Sequence, residues 1–264
     1  MPEASQLTKG TELHLARELE TQDYVDVKVT SSEDIFAVKV INLLMCVEGF
    51  KSGRKLISRE VPIFGTFDDT FFLGKIDELK LDFNAYELSV VEFKTRTRRN
   101  LPGKAQKLTH DLQGMLYKYM IDELILGNLT PERIWEALKL DAVKKFGADV
   151  QKHIKLTVRD KTNLDELFET LQDSVKGLPT VTAVRIEYTF QGDGKPFAEE
   201  TVGYDGIWLE EQLRRYLGYW RGRREPVGVD VEEAWKCSNC IYSDGCSWRI
   251  KKSEELRRRQ RNCK

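Results

Sequence analysis

No apolar run in this 264-residue sequence approaches the roughly 18 residues that a membrane-crossing helix requires. The first ten residues, Met1 to Gly10, lack the hydrophobic core of a secretion signal and are not arginine-rich, so neither export nor a strong organelle address is expected. Basic and acidic residues nearly cancel, 42 against 43, and the net charge of -1 removes the global basicity that advertises nucleic-acid binding. Cysteine is sparse. Five thiols in a chain without an export signal argue against a disulfide framework. Internal repeats and low-complexity segments are absent as well. What remains is 41% hydrophobic, enough to bury one substantial core with a small appended module.

The charge that is present is unevenly placed. Between Glu92 and Lys107 a single acid stands against Lys94, Arg96, Arg98, Arg99, Lys104 and Lys107. From Arg249 onward, eight basic residues face only Glu254 and Glu255. Charge runs are most often solvated faces, but patches of this kind also form the footprint of a phosphate-backbone ligand.

Two apolar runs, Gly74–Leu79 and Leu88–Lys94, flank a short polar stretch with Asn84-Ala85 at its centre, a candidate tight turn. If the strands fold back there, positions whose numbers total 169 face one another, Asp77 and Glu92 among them. Opposed side chains on a hairpin stand about 5 Å apart. Alternation along the strand puts Glu92 and Lys94 on one face, with Val91 and Phe93 on the other. Acidic residues near strand ends commonly just meet solvent. Two carboxylates and an amine converging on one patch, however, match what phosphodiester hydrolysis needs: hard oxygen ligands for Mg²⁺ and a cation to steady the attacking water or the developing charge.

The remaining elements follow from period and punctuation. Helices are expected over Thr8–Glu20, carrying His14, and after the Ser31-Ser32-Glu33-Asp34 cap, with Ile35, Val38, Ile41, Leu44 and Met45 marking the apolar period. Strands are expected at Arg59–Phe64, Phe71–Leu81 and Tyr86–Thr95. After Leu101-Pro102-Gly103, a long helix should run over Ala105–Leu126 and stop near Gly127, with further helix after Pro131 and over Leu164–Val175. Thr182–Phe190 and Glu199–Tyr204 read as a hairpin about Gly192-Asp193-Gly194, and Trp208–Arg221 as an amphipathic helix. This order implies an α/β fold, a mixed sheet with flanking helices, and divides the chain into a core over 1–235 and a cysteine-bearing segment with a basic tail over 236–264.

Gln113 and Tyr117 share one face of the long helix and can both reach toward the hairpin. A glutamine could orient a nucleotide or a water, and a tyrosine could hold a phosphate or stack on a base. His14 could complete a metal shell through a neutral imidazole. The tail carries Cys237, Cys240 and Cys246 at C-x2-C-x5-C spacing, a soft-ligand metal site for which zinc is the commoner occupant and an iron–sulfur cluster the sharper option.

Taken in order, His14, Gly74-x-x-Asp77, Glu92-x-Lys94, Gln113-x-x-x-Tyr117 and C-x2-C-x5-C resemble RecB-type PD-(D/E)XK nucleases that carry an iron–sulfur cluster. The segments Glu12–Glu20, Leu116–Tyr119 and Gly228–Cys237 bring the resemblance closer to the exonuclease V family, over nearly the whole chain from about Leu7 to Arg249. It implies a restriction-endonuclease-like core, Mg²⁺-dependent exonucleolytic cleavage of single-stranded DNA, and a [4Fe–4S] cluster on Cys237, Cys240 and Cys246. It further implies His14, Asp77 and Glu92 as Mg²⁺ ligands, with Asp77, Glu92, Lys94, Gln113 and Tyr117 as the catalytic set. A monomer working in DNA repair in the nucleus, or else in mitochondria or cytosol, is expected, with a single-strand DNA-binding protein as candidate partner. Arg96, Arg98, Arg99, Lys104 and Lys107 are the expected DNA contacts. The family also places a cluster cysteine upstream of the His14 helix, whereas the first cysteine here is Cys46, in a run that reads as core. The chain is therefore expected to be N-terminally shortened, and Cys263 of the tail is a stand-in that nothing in the family pattern asks for. The alternative is a catalytically weak or inactive DNA-binding remnant; a zinc-stapled interaction module would leave the acidic hairpin unexplained.

Overall fold

The computed structural model describes residues 2–20, 25–158, 160–229 and 231–262. Cys263 lies outside them. The described elements run α1 (Pro2–Leu19), α2 (Ser32–Lys51), β1 (Ile57–Phe67), β2 (Thr70–Asp82), β3 (Glu87–Arg96), α3 (Lys104–Ile125), α4 (Pro131–Leu138), α5 (Ala148–Thr157), α6 (Leu164–Val175), β4 (Val181–Phe190), β5 (Pro196–Val202) and α7 (Gly206–Trp220). A 3₁₀ segment (Val231–Asn239) and α8 (Ser247–Asn262) follow. No helix among the described residues is long and apolar enough to cross a membrane.

The five strands form one sheet in the order β1-β2-β3-β4-β5, parallel only between β3 and β4. Helices α3 to α6 fill the crossover that a parallel pair requires. With helices flanking it, this mixed sheet is the α/β arrangement expected of a nuclease-like core. The β2–β3 hairpin has the expected register, since Glu78 pairs with Val91 and Leu79 with Val90. Its turn is held by Asp82, whose Oδ1 accepts from the backbone N–H groups of Asn84 at 2.9 Å and Ala85 at 3.0 Å.

Two compact units divide the chain: Met1–Leu101 with Gln113–Tyr204, and Pro102–Leu112 with Asp205–Lys264. In the first, α2 starts where Ser31 accepts from the Asp34 N–H, and α6 where Asn163 accepts from Glu166. Phe36, Phe64, Trp135 and Phe168 form an aromatic cluster with ring centroids 5.1–6.1 Å apart. The apolar period of α2 matches the expected one only in part, with Ile41 and Leu44 buried and Val38 half-buried. Phe36, Ala37, Val40 and Val47 are buried together with Ile41 and Leu44, while Ile35 and Met45 are exposed. A helix buried over most of its circumference carries little periodic contrast, which is why the stripe was misjudged. The C-terminal part of α3 lies close on the sheet, because two glycines lack a side chain there. A Cβ on Gly74 of β2 would stand 2.5 Å from the Tyr117 ring, and one on Gly114 of α3 would stand 2.6 Å from Val184 of β4.

The start of α2 is also tied to the segment before α5. Glu33 accepts from the Lys144 ammonium at 2.7 Å and the Asp141 N–H at 3.2 Å, and Asp34 accepts from the Gly147 N–H at 2.9 Å. Lys144, foremost, holds the Glu33 carboxyl down to about 2 from its ordinary 4.5. A carboxyl depressed in the folded state adds stability above its unfolded value and loses it as the pH falls toward the folded one. Between pH 4.5 and 2, denaturant midpoints of Glu33→Gln should accordingly fall less steeply than those of the parent, from a lower value at pH 7. Parallel curves would refute the assignment.

In the second unit, Asp205 caps α7 by accepting from the Trp208 N–H at 3.0 Å.

Candidate active site

Helix α1 lies against the face of the sheet that presents Phe93. The Arg17 guanidinium stacks over the Phe93 ring at 3.9 Å and bonds Glu187 at 2.6 Å and Thr189 at 3.3 Å on β4. Arg59 of β1 donates to the Arg17 carbonyl at 2.6 Å and to Glu78 at 3.0 Å. These bonds set His14, one turn earlier on α1, over the end of β2. The Nδ1 of His14 is 3.7 Å from Asp77 Oδ1 and 3.8 Å from Glu60 Oε1.

Glu60 escaped the sequence reading. In the β1–β2 ladder Arg59 faces Glu78 and Val61 faces Ile76, which sets Glu60 opposite Asp77. Its φ of 52° is left-handed, a conformation costing a non-glycine residue about 1–3 kcal/mol. The signal that could have found it was the Asp68-Asp69 turn between β1 and β2, which fixes that register. Lys75 pairs with its other oxygen at 2.5 Å. Among the described residues, His14, Glu60 and Asp77 are the one group of His, Cys, Asp and Glu side chains whose ligand atoms all lie within 4.8 Å of one another.

On the opposite face of β3, Lys94 donates to Glu92 Oε1 at 2.8 Å and to Gln113 Oε1 at 2.9 Å. The Gln113 amide nitrogen donates to Glu92 Oε1 at 2.6 Å and to the Tyr117 hydroxyl at 3.1 Å. Asp77 Oδ2 accepts from the Phe93 N–H at 2.7 Å, which draws β2 and β3 together at this point. Glu92 is 2% exposed, and its Oε2 has no hydrogen-bond partner among the described residues. Burial, and after it the charge of Asp77, pushes the Glu92 carboxyl up; burial does the same to Asp77. His14 is raised chiefly by Glu60, with Asp77 adding to the effect. Carboxylates desolvated against one another, one with an orphaned oxygen, suit a hard divalent cation.

A cleft of about 930 Å³ is lined by His14, Glu60, Lys75 and Asp77 and also by Arg96, Arg98 and Asn100; Glu92, Lys94, Gln113 and Tyr117 are not among its lining residues. Arg96 bonds the Asn100 carbonyl at 3.3 Å, and Arg99 is committed to Asp193 and to the Phe190 ring. The Arg98 side chain has no partner among the described residues.

The other expected site residues belong to the second unit. Lys104 and Lys107 sit on its part of α3. Cys237, Cys240 and Cys246 are free thiols, Cys240 exposed and the other two half-buried. They are not drawn together within 4.8 Å. Cys46 is core, as its run suggested, and burial pushes its thiol up to about 12.

The sequence matches, over residues 1–88, 82–177 and 151–249, a family model described as "Exonuclease V - a 5' deoxyribonuclease". It is 41% identical over 243 residues to Exonuclease V of Danio rerio, covering 91% of this chain but 61% of that protein. The chain thus spans less than two thirds of the length of this curated relative. A solved structure described as "Crystal structure of SSO0001" aligns with 90% of this chain and 96% of its own at 11% identity, with a TM-score of 0.34 that carries no argument. With a family match that runs from end to end of the acidic hairpin, the helix behind it and the cysteine segment, the chain belongs to the exonuclease V family.

Proposed function

We propose that this chain is a metal-dependent exonuclease that hydrolyses phosphodiesters at the ends of single-stranded DNA, in DNA repair. The observation that carries the proposal is the hydrogen-bonded set Glu92–Lys94–Gln113 beside Asp77, which itself lines a cleft that Arg98 also lines. Asp77, Glu92 and His14 would hold Mg²⁺, which when bound polarises the phosphate and lowers the pKa of water. Lys94, kept in place by Gln113, supplies positive charge beside the reacting oxygens. Tyr117 braces Gln113 from behind, and Arg98 can take an adjoining phosphate. A nuclear monomer, with a single-strand DNA-binding protein as partner, completes this reading. Purified protein should degrade an end-labelled single strand with Mg²⁺ and leave it whole with EDTA; an equal rate in both would refute the proposal.

Binding to single strands should weaken steeply with salt, through counterion release. Reversing charge at Arg98 should flatten the logarithmic salt dependence by at least about 0.7, the contribution of one phosphate contact on a single strand. Arg99→Glu should change it less, because Arg99 is already paired with Asp193. An unchanged slope for the Arg98 variant would move the DNA path elsewhere.

For Cys237, Cys240 and Cys246 we propose a [4Fe–4S] cluster. A cube presents its irons at separate corners, so its thiolates need not approach as closely as zinc ligands do. Anaerobically purified protein should be brown, and because these three thiolates satisfy three of the four irons, it should bleach in air. A colourless protein holding one zinc would overturn the assignment. Colour that is stable in air and lost in Cys46→Ser would instead make Cys46 the fourth ligand.

A further inference from the structure

We infer that α8 is a grip for double-stranded DNA, a sequence-independent contact that holds the duplex flanking a single-stranded substrate. The inference rests on the nuclease reading only in taking DNA as the ligand. The residues matched to the family end at Arg249, so nearly all of α8 (Ser247–Asn262) lies past them. The helix carries seven basic residues against only Glu254 and Glu255, and four of the seven fall between Arg257 and Arg261. Among the described residues only Lys252 of these seven forms an ion pair, with Glu255 at 2.9 Å, and the other six are exposed. The first turn is anchored. Trp248 packs so closely on Gly228 that a Cβ there would stand 1.8 Å from the indole, and the Ile250 N–H donates to the Cys246 carbonyl at 3.1 Å. Beyond that turn no described side chain of α8 is buried.

The placement of the cations discriminates among polyanions. Successive residues of a helix turn by about 100°, so Arg257, Arg258 and Arg259 lie on three sides of the axis. A single strand or an acidic peptide laid along such a helix meets one side and leaves the other cations in water. The major groove of B-DNA is about 12 Å wide, and a helix with its side chains is about 10–12 Å across. A helix seated there has phosphates on both flanks, the arrangement that cations on several sides match. Arginine pairs with phosphate through strong charge-assisted hydrogen bonds, and such backbone contacts carry no sequence information. A membrane surface fits worse. Ile250 and Leu256, six positions apart, fall on different sides of the helix, whereas an interfacial helix gathers its apolar residues on one face. Of the two acids on α8, Glu255 is already neutralised by Lys252.

The test is binding of a short labelled blunt duplex by the intact protein in EDTA, followed by fluorescence anisotropy across a salt series. The logarithm of the binding constant should fall linearly with that of the salt concentration. Changing Arg257, Arg258 and Arg259 together to Gln should flatten the slope by about 2–3, at about 0.9 for each arginine that meets a phosphate. Lysine at the same three positions should keep the slope, which separates lost charge from lost structure. A duplex with a single-stranded tail should bind the parent more tightly than the tail alone, and the glutamine variant should lose that advantage while cutting a short single strand at the parent's rate. An unchanged duplex slope in the glutamine variant would overturn the inference. So would an equal loss of affinity for a bare single strand, or displacement of the duplex by poly-glutamate as readily as by unlabelled duplex. Duplex binding that depends on these arginines, in a protein that cuts no DNA with Mg²⁺, would sink the proposed function and leave the grip standing.

Discussion

Asp77→Asn should abolish Mg²⁺-dependent cleavage, by at least about 10³-fold, and should raise the melting temperature of the metal-free protein. The first effect follows, on the proposed metal-dependent reading, from removing an anionic Mg²⁺ ligand. The second follows from burial. Asp77 and Glu92 are both pushed up from their ordinary values, so above those raised values each charged form costs the fold stability. Asparagine removes one charge and, through Oδ1, can still accept from the Phe93 N–H that Asp77 now engages at 2.7 Å. The same accounting predicts that Mg²⁺ raises the melting temperature of the parent far more than that of the variant. Single-strand binding in EDTA should be nearly unchanged. Scanning calorimetry with and without Mg²⁺, beside a cleavage assay, tests both halves. Undiminished cleavage would dismiss the site, and a metal-free variant that melts below the parent would dismiss the account of its cost.

Lys94→Ala should lower kcat by at least about 10²-fold, the scale of losing one positioned electrostatic group, with KM for single strands changed little. The ammonium is held by Glu92 at 2.8 Å and Gln113 at 2.9 Å, so it is oriented before any substrate arrives. Arginine should not rescue the loss, because a planar guanidinium cannot occupy the point that two acceptors define for an ammonium. Gln113→Ala should show a milder form of the same kcat defect, since it frees Lys94 without removing it. A KM effect alone in Lys94→Ala would make the residue a DNA contact instead.

Much of this site could be read from the chain because its logic is local. The hairpin register follows from two alternating runs about one turn, and carried one step beyond the Glu78–Val91 pair it sets Asp77 toward Glu92. Gln113 and Tyr117 follow from a helical spacing of four. Glu60 was hidden for the opposite reason. Its place depends on a second hairpin and on a left-handed backbone inside a strand, which the propensity of glutamate does not suggest. The α2 face was misread because Ile35 and Met45, apolar and exposed, look in sequence like the residues that are buried. The tie of Arg17 to Glu187 spans 170 positions, and no short-range pattern announces it.

Gly74 and Gly114 have a consequence beyond packing. They set the distance at which α3 rides above the sheet, and Gln113, the group that aims Lys94, travels with that helix. The thickness of a helix–sheet layer is thereby a dimension of the candidate site itself. Two residues with no side chain act as its gauge, and a single methyl group at either would be a shim beneath Lys94.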